Sequence, residues 1–278
     1  VNGDVEHRLI EPTMTEYPVG LLDLEDQPSI YVNGTLREMS GVAVVGTRKC
    51  TRYGIDLAEA FGAAIARSEW TTVSGLARGI DAAAHRGCLR DGGHAVAVLG
   101  SGIDVCYPKE NQSIFDGILA EGGAIVSEYP PGTPPDRWRF PARNRIIAAM
   151  STAVVVVEAA RTGGALITAR LAAEIGRPVF VVPGDVDRPA SEGCNLLIRD
   201  GAYPVLGAAD LIEELSLILG PPARDVTEEK EASMPTGGIS LEDLPEFWSV
   251  TMTEALVRVG KLQVEGQVRR DGEMIFPV

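Results

Sequence analysis

Residues 42–54 read VAVVGTRKCTRYG: a continuous apolar run, a glycine, a short polar turn, and the start of an amphipathic segment that continues to Ser68. An apolar run closed by glycine is the mark of a strand covered on both faces, and a helix that follows at once makes it the first half of a βαβ unit. The same arrangement then recurs along the chain. Strands are expected over 42–45, 71–73, 94–99, 124–127, 153–157, 179–182 and 203–206, with helices over 53–68, 80–91, 111–121, 143–150, 165–175, 194–200 and 208–219. This alternation predicts an α/β fold, a doubly wound and mostly parallel sheet of extended Rossmann-like form, over 41–219.

The flanks have different compositions. Residues 1–40 form an extended lead-in docked on the core, with Tyr17, Leu21, Leu22, Ile30 and Tyr31 to bury. Residues 220–238, GPPARDVTEEKEASMPTGG, are rich in Pro, Gly and acid and read as a flexible linker. Residues 239–278 offer helices and then VRRDGEMIF, a hairpin with an Asp-Gly turn, which together suggest a small winged-helix domain. The chain begins at Val1 and is read as a piece whose original N-terminus is missing.

The formal net charge of −14 looks hostile to a polyanionic partner until it is divided. Residues 1–40 carry 2 basic and 8 acidic side chains, residues 41–219 carry 17 and 20, and residues 220–278 carry 6 and 11. The acidity therefore sits at the ends, and the middle can carry a local positive surface. Cys50, Cys88, Cys106 and Cys194 are far apart, as are His7, His85 and His94. Metal ligands come at recognisable spacing, so neither a metal nor a cofactor is expected. No apolar run approaches the ~20 residues that span a bilayer, and a cytoplasmic protein with reduced thiols is expected.

In open α/β sheets ligands bind at the carboxyl ends of the strands. Here those ends carry Gly46, Thr47 and Arg48 after the first strand, Ser74, Gly75 and Arg78 after the second, and Gly100 and Gly102 after the third. Gly163, Gly164 and Thr168 follow the fifth. Glycine lets a backbone amide approach an anion without a Cβ in the way, so the set reads as an anion-binding rim; each glycine alone also reads as an ordinary turn residue. No ordered Ser/His/Asp set or paired acids stand out, His85 reads as a packed residue, and no enzyme activity is expected.

DRWRFPARNRII, residues 136–147, crowds Arg137, Arg139, Arg143 and Arg145 around Trp138 and Phe140, with Asn144 among them. Guanidinium groups fork onto phosphates, and aromatic faces stack on any base. Two readings stand at this point. The segment is a single-strand nucleic-acid contact, or its aromatics are core residues and its arginines pair with Glu128, Asp136 or Glu158.

Six ordered blocks resemble the DNA-processing protein A family, the Smf-type recombination mediators of bacteria. They are VAVVGTRKCTRYG, TVSGLARGIDAAAHRG, AVAVLGSGIDVCYPKEN, GAIVSEYPPGTPPDRWRFPARNRIIAAMS, VVVVEAARTGGALITARLAAEIGRPVFVVPGD and EGCNLLIRDGA, within about residues 17–219. The resemblance implies a protein that binds single-stranded DNA, protects incoming strands and loads the RecA recombinase in natural transformation and recombination. It also implies a homodimer formed through the Rossmann domain and a C-terminal winged helix. By position it makes Arg48 a phosphate contact, Phe140 a base-stacking ring, Arg137 a basic DNA contact, and Arg143 and Arg145 part of an RNR segment; Thr47 stands where the family usually has serine. Two departures are visible: nothing before Tyr17 resembles the family's N-terminal helical domain, and from Gly237 on 4 basic residues face 7 acidic ones. A competing reading from another class is a Rossmann-type nucleotide phosphoribohydrolase, for which Thr162-Gly163-Gly164-Ala165 lacks the acid that should follow, with Thr168 and Ala169 in its place. A nucleotide-sensing module is a third.

Overall fold

The computed structural model describes residues 7–37, 41–220, 238–248, 252–264 and 268–277. The chain divides into two compact units, Val1–Arg224 and Asp225–Val278. The first runs β1 (His7–Ile10), β2 (Ile30–Gly34), β3 (Gly41–Val45), α1 (Arg52–Arg67), β4 (Thr71–Ser74), α2 (Ile80–Arg90), β5 (Ala95–Gly102), α3 (Gln112–Ala120) and β6 (Ala124–Tyr129). It continues through α4 (Arg139–Ala149), β7 (Ala153–Val156), α5 (Gly164–Glu174), β8 (Val179–Val181), α6 (Pro189–Arg199), β9 (Tyr203–Pro204) and α7 (Ala208–Leu219).

Nine strands form one sheet in the order β1-β2-β6-β5-β4-β3-β7-β8-β9, parallel from β6 to β9 and antiparallel at β1 and β2. Strand order reverses between β3 and β7, so the loops after those strands open a crevice at the carboxyl edge. Strand β3 shows why the apolar run is continuous. Val42 and Val44 pack with Phe61 and Ile65 of α1, while Ala43 and Val45 pack with Ile146 and Ile147 of α4 on the other face. All five β3 residues are buried.

Helix α1 starts at Thr51, whose side chain accepts from the Gly54 amide as an N-cap. Thr51 is itself fixed by buried Glu158, which accepts from its amide at 2.8 Å and its hydroxyl at 2.6 Å. One loop-anchored carboxylate therefore sets where the β3–α1 turn ends.

Three features differ from the sequence expectations. The lead-in is not merely docked: β1 and β2 extend the sheet, with Ile10, Leu21, Ile30 and Val32 buried. Leu22, expected inside, is 46% exposed. Helices α4 and α6 begin several residues earlier than expected, at Arg139 and Pro189, because Pro141 and Pro189 lie in their first turns. A proline there gives up an amide that has no partner within the helix.

The second unit places β10 (Ile239–Ser240), α8 (Leu244–Trp248), α9 (Met252–Val264), β11 (Val268–Asp271) and β12 (Met274–Pro277) around Leu244, Trp248, Ala255, Val259, Val268 and Ile275. Its sheet order is β10-β12-β11, and Gly272 takes φ +62° in the hairpin turn. The linker expected at 220–238 falls on 221–237, outside the described residues. No helix among the described residues is long and apolar enough to cross a membrane.

Candidate nucleic-acid interface

The carboxyl edge brings Arg48, Gly75, Ala77, Arg78, Tyr107, Pro108 and Phe140 around one open cleft of about 30 Å³. That volume is too small to enclose a nucleotide, so a base would lie across its aromatic rim. Phe140 is the centre of the rim. Its ring lies against Gly100 of β5, where a Cβ would come within 2.8 Å of ring carbon Cδ1. Tyr107 stands beside it, centroids 5.5 Å apart and planes 33° off parallel. The exposed Arg48 guanidinium sits 5.0 Å from the Phe140 centroid and makes no ion pair among the described residues. The backbone at Arg48 is braced by Gly79, which takes φ +79° and packs so closely that a Cβ would sit 2.5 Å from the Thr47 carbonyl oxygen. A cation held over a ring by the backbone is ready for a phosphate, and the ring beside it for a base.

Several expected contacts are corrected by burial. Arg143 lies inside the protein, its guanidinium donating to the Gly75 carbonyl at 2.8 Å, to the Val98 carbonyl, and to Asn144 Oδ1 at 3.3 Å. It cannot also clamp a phosphate at the surface. Gly75 is glycine to admit this group, since a Cβ would sit 2.4 Å from an Arg143 nitrogen. Beside them Asp81 accepts from the Gly75 amide at 3.2 Å. Burial pulls the Arg143 pKa down to about 10 and pushes that of Asp81 up, and each partner's charge opposes the change. Arg143 stays a cation at neutral pH. His85, also buried near Arg143, is held down to about 3 by desolvation and so stays a neutral imidazole, a packed residue as its sequence setting suggests.

Ser74 is buried and donates to the Val44 carbonyl, Thr168 is buried in α5, and Asn144 donates to the Gly164 carbonyl, tying α4 to the start of α5. Arg145 is engaged by Glu128 at 2.5 Å and by the Asp26 carbonyl. Ser74, Asn144 and Arg145 are thus each held by a partner within the chain. The rim amides are also largely spoken for: Thr47 to the Glu158 carbonyl, Gly75 to Asp81 and Gly102 to the Thr133 carbonyl. Gly46 is required by Ile80, which a Cβ would approach to 2.5 Å. Gly164 is different: a Cβ there would meet nothing closer than 4.0 Å, so packing leaves it unexplained, whereas at Gly163 a Cβ would press on the Ala160 carbonyl oxygen at 3.3 Å.

Arg137 is exposed and makes no side-chain bond among the described residues. Arg139 lies 4.9 Å from the Tyr129 centroid and 5.1 Å from that of Trp138. Arg78 is exposed but held by Glu110, one of its two bonds measuring 2.8 Å. That bond keeps the Glu110 carboxyl below its ordinary pKa. Should this edge take a single strand, Glu110→Gln is expected to release Arg78 and tighten that binding a few-fold, with the salt slope steeper by about 0.7. The gain should vanish in an Arg78→Ala background, which separates release of Arg78 from simple loss of an acid. Tyr107 is not among the contacts expected from sequence; its signal there is a rare aromatic in a loop at the carboxyl edge.

A larger hollow, of about 250 Å³, lies beyond the β3 loop and is lined by Tyr53, Glu158, Asp185 and Arg188 among others. Its arginine is paired with Asp185, so the lining is acidic on balance and suits a polyanion less well than the smaller cleft. Among the described residues no group of His, Cys, Asp or Glu could hold a metal ion.

Fold and site define a doubly wound α/β protein with a cationic and aromatic surface at the carboxyl edge of its sheet. Similarity to known proteins makes that class specific. The family model described as DNA recombination-mediator protein A matches residues 8–216, and the chain belongs to that family. Protein Smf of Synechocystis sp. is 43% identical over 218 residues, which are 76% of this chain and 54% of that protein. The chain thus spans about half the length of that relative. The X-ray structure of DNA processing protein A from Streptococcus pneumoniae superposes with a TM-score of 0.71 at 39% identity, over 75% of this chain and 74% of that one. The protein of the same name from Helicobacter pylori, solved for its single-stranded DNA binding mode, gives 0.68 at 28% identity over 76% and 96%.

Proposed function

We propose that this chain binds single-stranded DNA along the carboxyl edge of its sheet and acts without turnover as a recombination mediator. In this reading it works in the cytoplasm, protects incoming strands and loads the RecA recombinase onto them, in natural transformation or homologous recombination. The observation that carries the reading is Arg48, exposed and outside any ion pair among the described residues, set over Phe140 beside Tyr107. The single-stranded DNA binding mode of the Helicobacter pylori relative agrees with it. DNA contacts are assigned to Arg48, Phe140, Arg137 and Arg139, with Arg78 recruited when Glu110 is displaced and the Gly163-Gly164 turn as a backbone approach.

Homodimerisation is part of the proposal. The edge strand β9, the turn after it and helix α7 leave Tyr203, Leu206 and Leu217 exposed, at 47%, 83% and 78%. Isolated apolar side chains are ordinary on a surface, but these lie next to an open sheet edge. The strand, two helices and closing hairpin of the second unit suit a winged helix, and its acid excess favours a protein contact over duplex binding.

Phe140→Ala tests the site. Affinity for every oligonucleotide should fall at least about five-fold, with the salt slope unchanged, because a stacking face carries no charge. A matching loss of slope would show that the ring serves only to place Arg48. Competition by mononucleotides as strong as by oligonucleotides would favour a nucleotide-sensing module instead.

A further inference from the structure

Trp138 is 58% exposed, yet it is not a loose surface ring. Its indole Nε1 donates to Asp136 at 3.0 Å, the Arg139 guanidinium lies 5.1 Å from its centroid, and Tyr129 meets it edge-on at 6.1 Å. Arg139 is fixed in turn between this ring and Tyr129, and donates to the Pro134 carbonyl. Three contacts thus hold an exposed aromatic side chain in one orientation, and a pre-ordered ring loses little entropy when something stacks on it. None of this builds core: Trp138 belongs to no buried cluster among the described residues.

The position matters as well. Trp138 stands at the residue before α4, without a side-chain capping bond, and Phe140 is two residues on. At about 100° per residue the two side chains leave the helix on nearly opposite sides. Phe140 turns toward Gly100 and Tyr107, and Trp138 toward Tyr129 at the end of β6. Arg137, exposed and without a side-chain bond among the described residues, adjoins Trp138. The Asp136 carboxylate at the edge of the indole repels a phosphate there, which leaves the ring face for a neutral base.

We propose that Trp138, held by Asp136, Arg139 and Tyr129, is a second base-stacking face, taking a base on the side of the α4 start away from Phe140. The proposal rests on the single-stranded DNA reading above and adds to it that the strand crosses the mouth of α4, with Arg137 meeting its phosphates.

The test is a titration of the full chain with oligo-dT, read by intrinsic tryptophan fluorescence and by anisotropy of a labelled strand, at two salt concentrations. Trp70 and Trp248 are buried, so quenching by direct contact with a base belongs to Trp138. DNA should quench the wild type. Trp138→Phe should lose the quench and keep most of the affinity, since a ring remains although its Asp136 bond is gone, whereas Trp138→Ala should bind at least about five-fold more weakly with an unchanged salt slope. Matched melting curves establish that each variant is folded. Wild-type affinity in Trp138→Ala, or a quench that persists in Trp138→Phe, overturns the proposal. If Phe140→Ala weakens binding while Trp138→Ala does not, only the second face fails. If the wild type does not bind oligo-dT, the proposal falls together with the reading beneath it.

Discussion

Arg143→Ala is expected to destabilise the Rossmann unit by about 3–5 kcal/mol, the usual cost of removing one member of a buried charged set. In melting this is a fall of roughly 6–20 °C for a unit of this size. The cause is specific. Arg143 reaches across the carboxyl ends of β4 and β5, and its loss strands the Gly75 and Val98 carbonyls and removes the cation beside buried Asp81. Arg143→Lys should recover only part of the loss, because a single ammonium nitrogen cannot serve the Gly75 and Val98 carbonyls, both bound by Nη1, and also replace the Nε bond to Asn144 Oδ1. The pH dependence follows from Asp81. Its pKa is already raised by burial, and Arg143 works against the rise. A carboxyl group whose folded pKa lies above its unfolded value costs stability as pH rises through the folded value. The gap between wild type and Arg143→Ala should therefore narrow as pH falls and Asp81 is protonated. A constant gap across pH would mean that the cavity, and not the stranded carboxylate, causes the loss.

Arg48→Ala is the counterpart, with a large effect on binding and almost none on folding. The side chain is exposed and lies over the face of Phe140, and within the protein its charge acts on buried Asp81 and Arg143 only through space. A charged hydrogen bond to phosphate is worth about 1.5–3 kcal/mol, so affinity for single-stranded DNA should drop about 10- to 150-fold. The loss should be the same for all sequences, because phosphates carry no sequence information. Melting temperature should stay where it was. Two arginines of one candidate set thus act in opposite ways, one on the fold and one on the ligand.

That division is not legible in the sequence. Arg137, Arg139, Arg143 and Arg145 look alike as a cluster, and only the packing of α4 against the β4 and β5 loops sends Arg143 inward and Arg145 to Glu128. The rim glycines mislead for a related reason. Gly75 and Gly100 are glycine because Arg143 and Phe140 come close to them, and such proximity is a property of the tertiary fold. Arg48 and Phe140 can be found because a glycine turn after a strand and a scarce aromatic are local signals. The parallel strands are legible for the same reason, as unbroken apolar runs. Strand β1 is not, since three of its four residues are exposed and it follows no apolar pattern. The starts of α4 and α6 escape the sequence because proline signals a boundary there, whereas it occupies a first turn.

Arg48 and Phe140 are proposed to form a single-stranded DNA site. This claim is tested most directly by anisotropy titration of wild type and Arg48→Ala with single-stranded, duplex and mononucleotide ligands at two salt concentrations. The wild type should prefer the single strand, and Arg48→Ala should weaken that binding and flatten its salt slope by about 0.7. An Arg48→Ala variant with the wild-type affinity and slope would contradict the claim.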